Sequence, residues 1–66
     1  MNKADIEPYI DKEVNVGIDG KFSNTTFFLN GVITTLSNDA LTLRTSKDIH
    51  LLALKSIKSI TLSNED

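Results

Sequence analysis

A nearly unbroken apolar run close to the C-terminal end, from Ile49 to Leu54, limits the folds that are open to this chain. A strand with one buried face alternates apolar and polar residues. Only His50 interrupts this run, so both faces of the strand require cover. A chain of 66 residues has little mass with which to provide it. We therefore expect a second copy of the chain to supply the missing cover.

The small size of the chain makes an external source of stability necessary. A domain of this length buries only about 60% of the surface that its unfolded chain exposes, and is marginal on its own. The sequence has no cysteine, which excludes disulfides, and its single histidine, His50, has no thiolate partners for a structural zinc. Self-association is the stabiliser that remains, and we expect no metal and no cofactor.

The charge balance restricts the possible partners. The formal net charge is -2 and the isoelectric point is about 5.1. No broad basic field is therefore available to attract phosphates over a distance, and any contact with nucleic acid has to be local. No apolar run is long enough for a signal peptide or a membrane span. These features predict a cytoplasmic protein that does not contact membranes.

The N-terminal segment predicts a short helix at about residues 5–11. Asp5 is a suitable N-cap, and Pro8 then falls in the first turn, where its missing N–H costs nothing. Ile6, Tyr9 and Ile10 share one face at helical spacing. The helix is therefore expected to cover one end of a β structure with this face.

The remainder of the chain predicts five strands. Alternating apolar residues and strand-forming composition place them at about 13–18, 25–36, 40–44, 48–54 and 57–62. Residues 21–24 are either a loop or the start of the second strand. Asn30-Gly31 within that strand is either a hairpin turn or a bend in one long strand, and the bend is favoured because hairpin arms would be very short.

Five short strands with a bent second strand predict a single domain that is mainly β, a small SH3-like or OB-like barrel. The N-terminal helix favours the SH3-like form. Of the three phenylalanines, Phe27 and Phe28 are adjacent, so we expect one in the core and the other exposed with Phe22. The exposed rings would form a subunit interface or, less favoured, a base-stacking platform.

The order of segments resembles the Sm-like (Lsm) family. A helix is followed by Lys12–Val16, then by Gly31–Ile33, a polar turn and Leu41–Leu43. The spacing from Gly31 to Leu62 is similar to that of bacterial Hfq, and Leu54-Lys55-Ser56 occupies the place of the family's Ile-Arg-Gly type triplet. The resemblance implies a five-stranded Sm-fold barrel in a homo-hexameric or homo-heptameric ring that binds single-stranded RNA near its pore.

The resemblance also implies two sets of functional residues. The fourth strand of one subunit would pair with the fifth strand of its neighbour. The expected interface residues are Ile49, Leu51, Leu52, Leu54, Ile57 and Ile60. RNA contacts would come from the polar turn, the strand after it and the second motif. The expected RNA-binding residues are Ser37, Asn38, Asp39, Thr42, Lys55 and Ser56.

The sequence departs from the family pattern in the RNA pocket. The turn Ser37–Asp39 carries no aromatic residue to stack on a base, an interaction worth about 1–3 kcal/mol per base. Lys55 supplies charge but no planar surface. Turn chemistry alone also accounts for Asn38 and Asp39, and Lys55 is equally an ordinary solvated turn residue.

Nothing in the sequence predicts an enzyme. His50 has no neighbouring nucleophile or positioned partner, and is expected to face solvent or an interface. The first hypothesis is a non-catalytic ring that binds single-stranded RNA. The alternative is an oligomeric structural or protein-interaction module of the same fold without RNA affinity, and a third possibility is a monomeric lobe of a hetero-complex.

Overall fold

The computed structural model describes residues 1–20 and 25–63. The predicted loop or strand start at 21–24, including Phe22, lies outside these residues. The described chain has one short α-helix, five strands and two 3-10 segments. Their bounds are α1 Lys3–Ile6, a 3-10 segment Glu7–Tyr9, β1 Glu13–Asp19, β2 Thr26–Leu36, β3 Ala40–Arg44, β4 Ile49–Ala53, a second 3-10 segment Leu54–Ser56, and β5 Ile57–Leu62.

The N-terminal helix begins two residues before the predicted one. Asp5 lies inside α1 rather than at its cap, and its N–H donates to the carbonyl of Asn2 at 3.0 Å. The α-helix ends before Pro8, which has no N–H to continue the hydrogen-bond ladder, and a 3-10 turn follows. Ile6 is fully buried, and Tyr9 and Ile10 pack against the core. The apolar face of the helical segment therefore covers the sheet.

The five strands form one antiparallel sheet in the order β4-β3-β2-β1-β5. The long strand β2 holds the sheet together, because residues 26–32 pair with β1 and residues 32–36 pair with β3. Asn30 and Gly31 lie inside this continuous strand and pair with Asn15 and Val14. The hairpin interpretation of Asn30-Gly31 is therefore wrong. A mainly β fold with a short N-terminal helix is confirmed.

The sheet is strongly curved, but its edges do not pair. The strands β4 and β5 lie at opposite edges, which in a flat five-stranded sheet are about 19 Å apart. Only Leu54–Ser56 connects them, and the four-residue step from Ala53 to Ile57 spans at most about 14 Å. The sheet must therefore coil. Within the described residues, β4 and β5 each keep one edge without a partner strand.

The core lies between the sheet and the N-terminal segment, which contributes Ile6 to it. Alternate residues of β1 and β3 point into it, as expected for strands with one buried face. Its nine buried members are Ile6, Val14, Val16, Ile33, Leu41, Leu43, Leu54, Ile57 and Ile60. Three of these, Leu54, Ile57 and Ile60, were expected at a subunit interface. With exposed fractions of 4%, 5% and 8%, they are already covered within one chain.

The apolar strand β4 alternates in burial despite its composition. His50 and Leu52 face inward and are half-buried, paired with Leu43 and Leu41. Ile49 and Leu51 point outward and are 69% and 76% exposed. The strand ends at Ala53, one residue before Leu54 turns into the core. One face of the predicted two-sided strand is thus covered by the chain itself, and the other is open.

The expectation that one of Phe27 and Phe28 lies in the core is wrong. Their exposed fractions are 58% and 67%. Both residues belong to the part of β2 that pairs with the end of β1, where Phe27 faces Ile18 and Phe28 faces Gly17. This part of the hairpin extends beyond Val16, the last residue of β1 that belongs to the buried hydrophobic core. The two rings therefore lie on opposite sides of the strand, beyond the buried core residues.

A Gly31→Ala substitution is expected to destabilise the fold, because β3 approaches the backbone of Gly31 too closely for a side chain. A Cβ there would lie 2.5 Å from the carbonyl oxygen of Arg44. Backbone cannot move aside cheaply, so we expect a loss of about 1–3 kcal/mol in urea unfolding. Gly17→Ala is the matched control, since its nearest neighbour is the Oγ of Ser59, which can rotate. Equal losses for both variants would contradict this account.

Candidate functional site

Two of the turns predicted to bind RNA meet at one end of the sheet. The strands β3 and β4 are antiparallel, and Ala40 at the start of β3 pairs with Ala53 at the end of β4. Asp39, which precedes Ala40, and Leu54, which follows Ala53, are therefore neighbours. The N–H of Leu54 donates to the carbonyl of Asp39 at 2.9 Å. This bond joins the 37–39 turn to the 54–56 segment.

The hydroxyl of Ser37 holds the 37–39 turn in shape. Its Oγ accepts hydrogen bonds from the N–H groups of Ala40 at 3.2 Å and Asp39 at 3.4 Å. The same hydroxyl donates to the carbonyl of Ala40 at 3.1 Å. The hydroxyl of Ser37 is therefore already hydrogen-bonded within the turn. Asn38 and Asp39 are exposed, and their side chains form no hydrogen bond with any residue in 1–20 or 25–63.

A surface cavity of about 470 Å³ lies where these turns meet. Such a volume is within the range of about 300–1,000 Å³ that ligand pockets occupy. Its lining residues are Met1, Asn2, Asn38, Asp39, Ala53, Leu54 and Lys55. Three of the six predicted RNA-binding residues, Asn38, Asp39 and Lys55, thus share one cavity. Ser37 and Ser56 adjoin it through their chain neighbours.

Thr42 lies apart from this cavity, on the outer face of β3. Its hydroxyl accepts a hydrogen bond from the Oγ1 of Thr35 at 2.8 Å, and it pairs with Leu51 of β4. The structure therefore groups Thr42 with the outward residues of β4 rather than with the two turns.

The N-terminal residues Met1 and Asn2 belong to the cavity although sequence reasoning did not select them. The α-amino group of Met1 donates to the carbonyl of Leu54 at 2.9 Å, which draws the start of the chain to the 54–56 segment. The expected covering role of the helix was the one signal of this proximity. No local motif in the sequence points to a contact between residues so far apart.

The cavity is lined by one carboxylate, from Asp39, and by two ammonium groups, from Lys55 and the α-amino group of Met1. Asp39 and Lys55 are both exposed and both line it. The one ion pair formed among the described residues is elsewhere, between Lys58 and Asp19 at 3.8 Å. The carboxylate of Asp39 and the ammonium group of Lys55 are therefore both available to a ligand that offers donors as well as acceptors.

A second surface lies on the outer side of β4. Its members, Ile49, Leu51 and Ala53, are all exposed, and we call them the β4 stripe. The stripe adjoins an edge of the sheet that has no partner strand in the described part of the chain. An exposed apolar edge strand is a template for pairing with another chain. His50 lies on the opposite side of the same strand.

Other kinds of site find no support in the residues that the structure covers. Within 1–20 and 25–63, no three acidic, histidine or cysteine side chains are grouped so that they could hold a metal ion. None of the helices in these ranges has the length and apolarity needed to cross a membrane. Comparison with known proteins gives no match to a family model, a curated protein or a solved structure.

Proposed function

We propose that this chain is a non-catalytic protein of the cytoplasm that binds single-stranded RNA as a ring of identical Sm-like barrels. The observation that carries the proposal is the meeting of the 37–39 turn and Lys55 at one cavity. Both turns were selected from the sequence, and the pairing of Ala40 with Ala53 explains why they adjoin. Residues at the ends of rigid strands are suited to binding.

The sheet supports the barrel and the ring. Its curvature brings the two edge strands within a four-residue connection. The apolar β4 stripe and the unpaired edges of β4 and β5 offer surfaces through which copies could join edge to edge. A closed homo-hexamer or homo-heptamer would cover the stripe and leave no open edge.

Assembly also offsets the weakness of each single RNA contact. The net charge is -2, and each cavity offers one lysine, so one subunit alone would bind RNA poorly. A ring repeats the cavity once per subunit. Contacts along one RNA strand then add through effective concentration, by a factor of up to about 10²–10⁴ in overall affinity.

The second candidate is an oligomeric structural or protein-interaction module without RNA affinity. Two observations favour it: the acidic balance of the chain, and a cavity lining that contains a carboxylate and no aromatic ring. RNA binding separates the two candidates. Wild-type protein that binds neither oligo-U nor oligo-A at moderate salt supports the module, and a particle with the mass of one chain supports a monomeric lobe of a hetero-complex.

A Lys55→Ala variant is expected to bind RNA more weakly without a change in assembly mass. Removing one phosphate contact per subunit makes the negative slope of log K against log salt less steep by about 0.7 per contact on single-stranded RNA. Fluorescence anisotropy with labelled oligo-U at several salt concentrations measures this slope. Lys47→Ala is the matched control, because Lys47 is exposed in the turn at the opposite end of β3 and β4. Equal salt-dependence slopes for the Lys55→Ala and Lys47→Ala variants would show that Lys55 does not contact RNA.

A further inference from the structure

The cavity brings the carboxylate of Asp39 together with the ammonium group of Lys55, beside the α-amino group of Met1. Asp39 supplies two acceptor oxygens and Lys55 supplies donors. Neither is engaged in an ion pair, since among the described residues only Lys58 and Asp19 form one. The carboxylate is therefore free to accept hydrogen bonds from a ligand, and the ammonium group is free to donate them.

The backbone of Asp39 is held in place before any ligand binds. Its carbonyl accepts from the N–H of Leu54 at 2.9 Å, and its N–H donates to the Oγ of Ser37 at 3.4 Å. The exposed carboxylate thus projects from an anchored turn, and its own oxygens take no part in that anchoring. An acceptor on an anchored backbone loses less entropy on binding than one on a mobile loop.

The Watson–Crick edges of the four RNA bases differ in how they match this pair. Guanine presents an acceptor, O6, beside two adjacent donors, N1–H and the N2 amino group. Uracil presents a single donor between two carbonyl oxygens, and adenine and cytosine each present one amino donor beside a ring-nitrogen acceptor. A carboxylate can accept from two adjacent donors only with guanine, whose O6 is then left for an ammonium group.

We propose that the cavity selects guanine, with Asp39 accepting from the N1–H and N2 amino groups and Lys55 donating to O6. This inference rests on the proposed function and specifies the base that the same cavity prefers. A bidentate contact to a base edge discriminates by roughly tenfold. The missing aromatic residue in the 37–39 turn is consistent with reading by hydrogen bonds rather than by stacking.

The test uses labelled oligoadenosine RNAs that differ at one central nucleotide. The variable position carries guanosine, inosine, cytidine, uridine or adenosine, and a lone guanosine forms no quadruplex. Binding to the 66-residue chain is measured by fluorescence anisotropy at one fixed salt concentration. We expect the guanosine RNA to bind about tenfold more tightly than the uridine RNA. Inosine, which lacks the N2 amino group, should fall between them.

The Asp39→Asn variant tests whether the carboxylate is responsible. An amide offers one acceptor and one donor, so it cannot accept from both guanine groups. We expect the ratio of guanosine to uridine affinity to fall to about one, while affinity for the all-adenosine RNA rises because a charge that repels phosphate is gone. Asp48→Asn is the matched control, since Asp48 is exposed in the turn at the other end of β3 and β4. It should keep the guanosine preference.

Four results would overturn the assignment. If the wild-type protein binds all the RNAs equally, or binds the uridine RNA more tightly, the cavity does not select guanine. The proposal that the protein binds RNA would still stand. An unchanged guanosine preference in Asp39→Asn removes the carboxylate from base recognition. Failure of every RNA to bind overturns the proposed function itself, and the base preference with it.

Discussion

A Leu51→Glu variant is expected to have the mass of one 7.3 kDa chain under conditions in which we expect the wild-type protein to have the mass of several. Leu51 is 76% exposed in the single chain, so the fold itself should tolerate the change. In an assembly that covers the β4 stripe, the new carboxylate would be buried without a partner, at a cost of several kcal/mol per interface. Native mass spectrometry and sedimentation measure the difference directly.

Ser46→Glu is the control for this variant. It adds the same charge at an exposed position in the turn between β3 and β4, outside the β4 stripe. Its assembly mass should equal that of the wild-type protein. A Leu51→Glu protein that keeps the full mass would show that copies do not join through this stripe. A wild-type protein with the mass of one chain would contradict the ring as a whole.

Replacing Ile33 by Ala is expected to remove about 2–5 kcal/mol from the free energy of unfolding. Ile33 is fully buried in the core, pairs with Leu43, and forms a bridge with Ile10 of the N-terminal segment. The loss combines the lost transfer free energy of the side chain with the cavity that it leaves. A domain of this length has a total stability of about 3–10 kcal/mol. The substitution should therefore remove a large part of the total stability.

Ile49→Ala makes the same chemical change at a position that is 69% exposed. Within one chain it should cost less than about 0.5 kcal/mol. Urea unfolding of both variants at one low protein concentration compares them without a contribution from assembly. A large loss at Ile49 under these conditions, or a small one at Ile33, would show that the core is not where the structure places it.

The strands were predictable because their signals are local. Strand-forming composition, apolar alternation and turn residues predicted all five strands to within one residue of their observed ends. The helix bounds were less accurate, since Asp5 is an adequate N-cap by residue type but Asn2 occupies that position in the fold. A cap is set by backbone dihedral angles, which residue type only biases.

Burial was less predictable than secondary structure. Composition alone does not separate Leu51 from Leu54, which are three positions apart and are 76% and 4% exposed. The difference arises because β4 ends at Ala53 and the chain then turns inward. Phe27 and Phe28 show the converse, with large apolar side chains left exposed where a hairpin outruns the core.

For the candidate site, the chain carries in its residue order the polar turn 37–39, the lysine at 55 and the apolar strand between them. Each of these features depends on residues within a few positions of one another, so each can be predicted from the sequence alone. The cavity could not be predicted in this way, because it forms only when Ala40 pairs with Ala53 and the N-terminus contacts Leu54. Strand register and sheet curvature create those contacts between distant positions, and both result from the packing of the whole core.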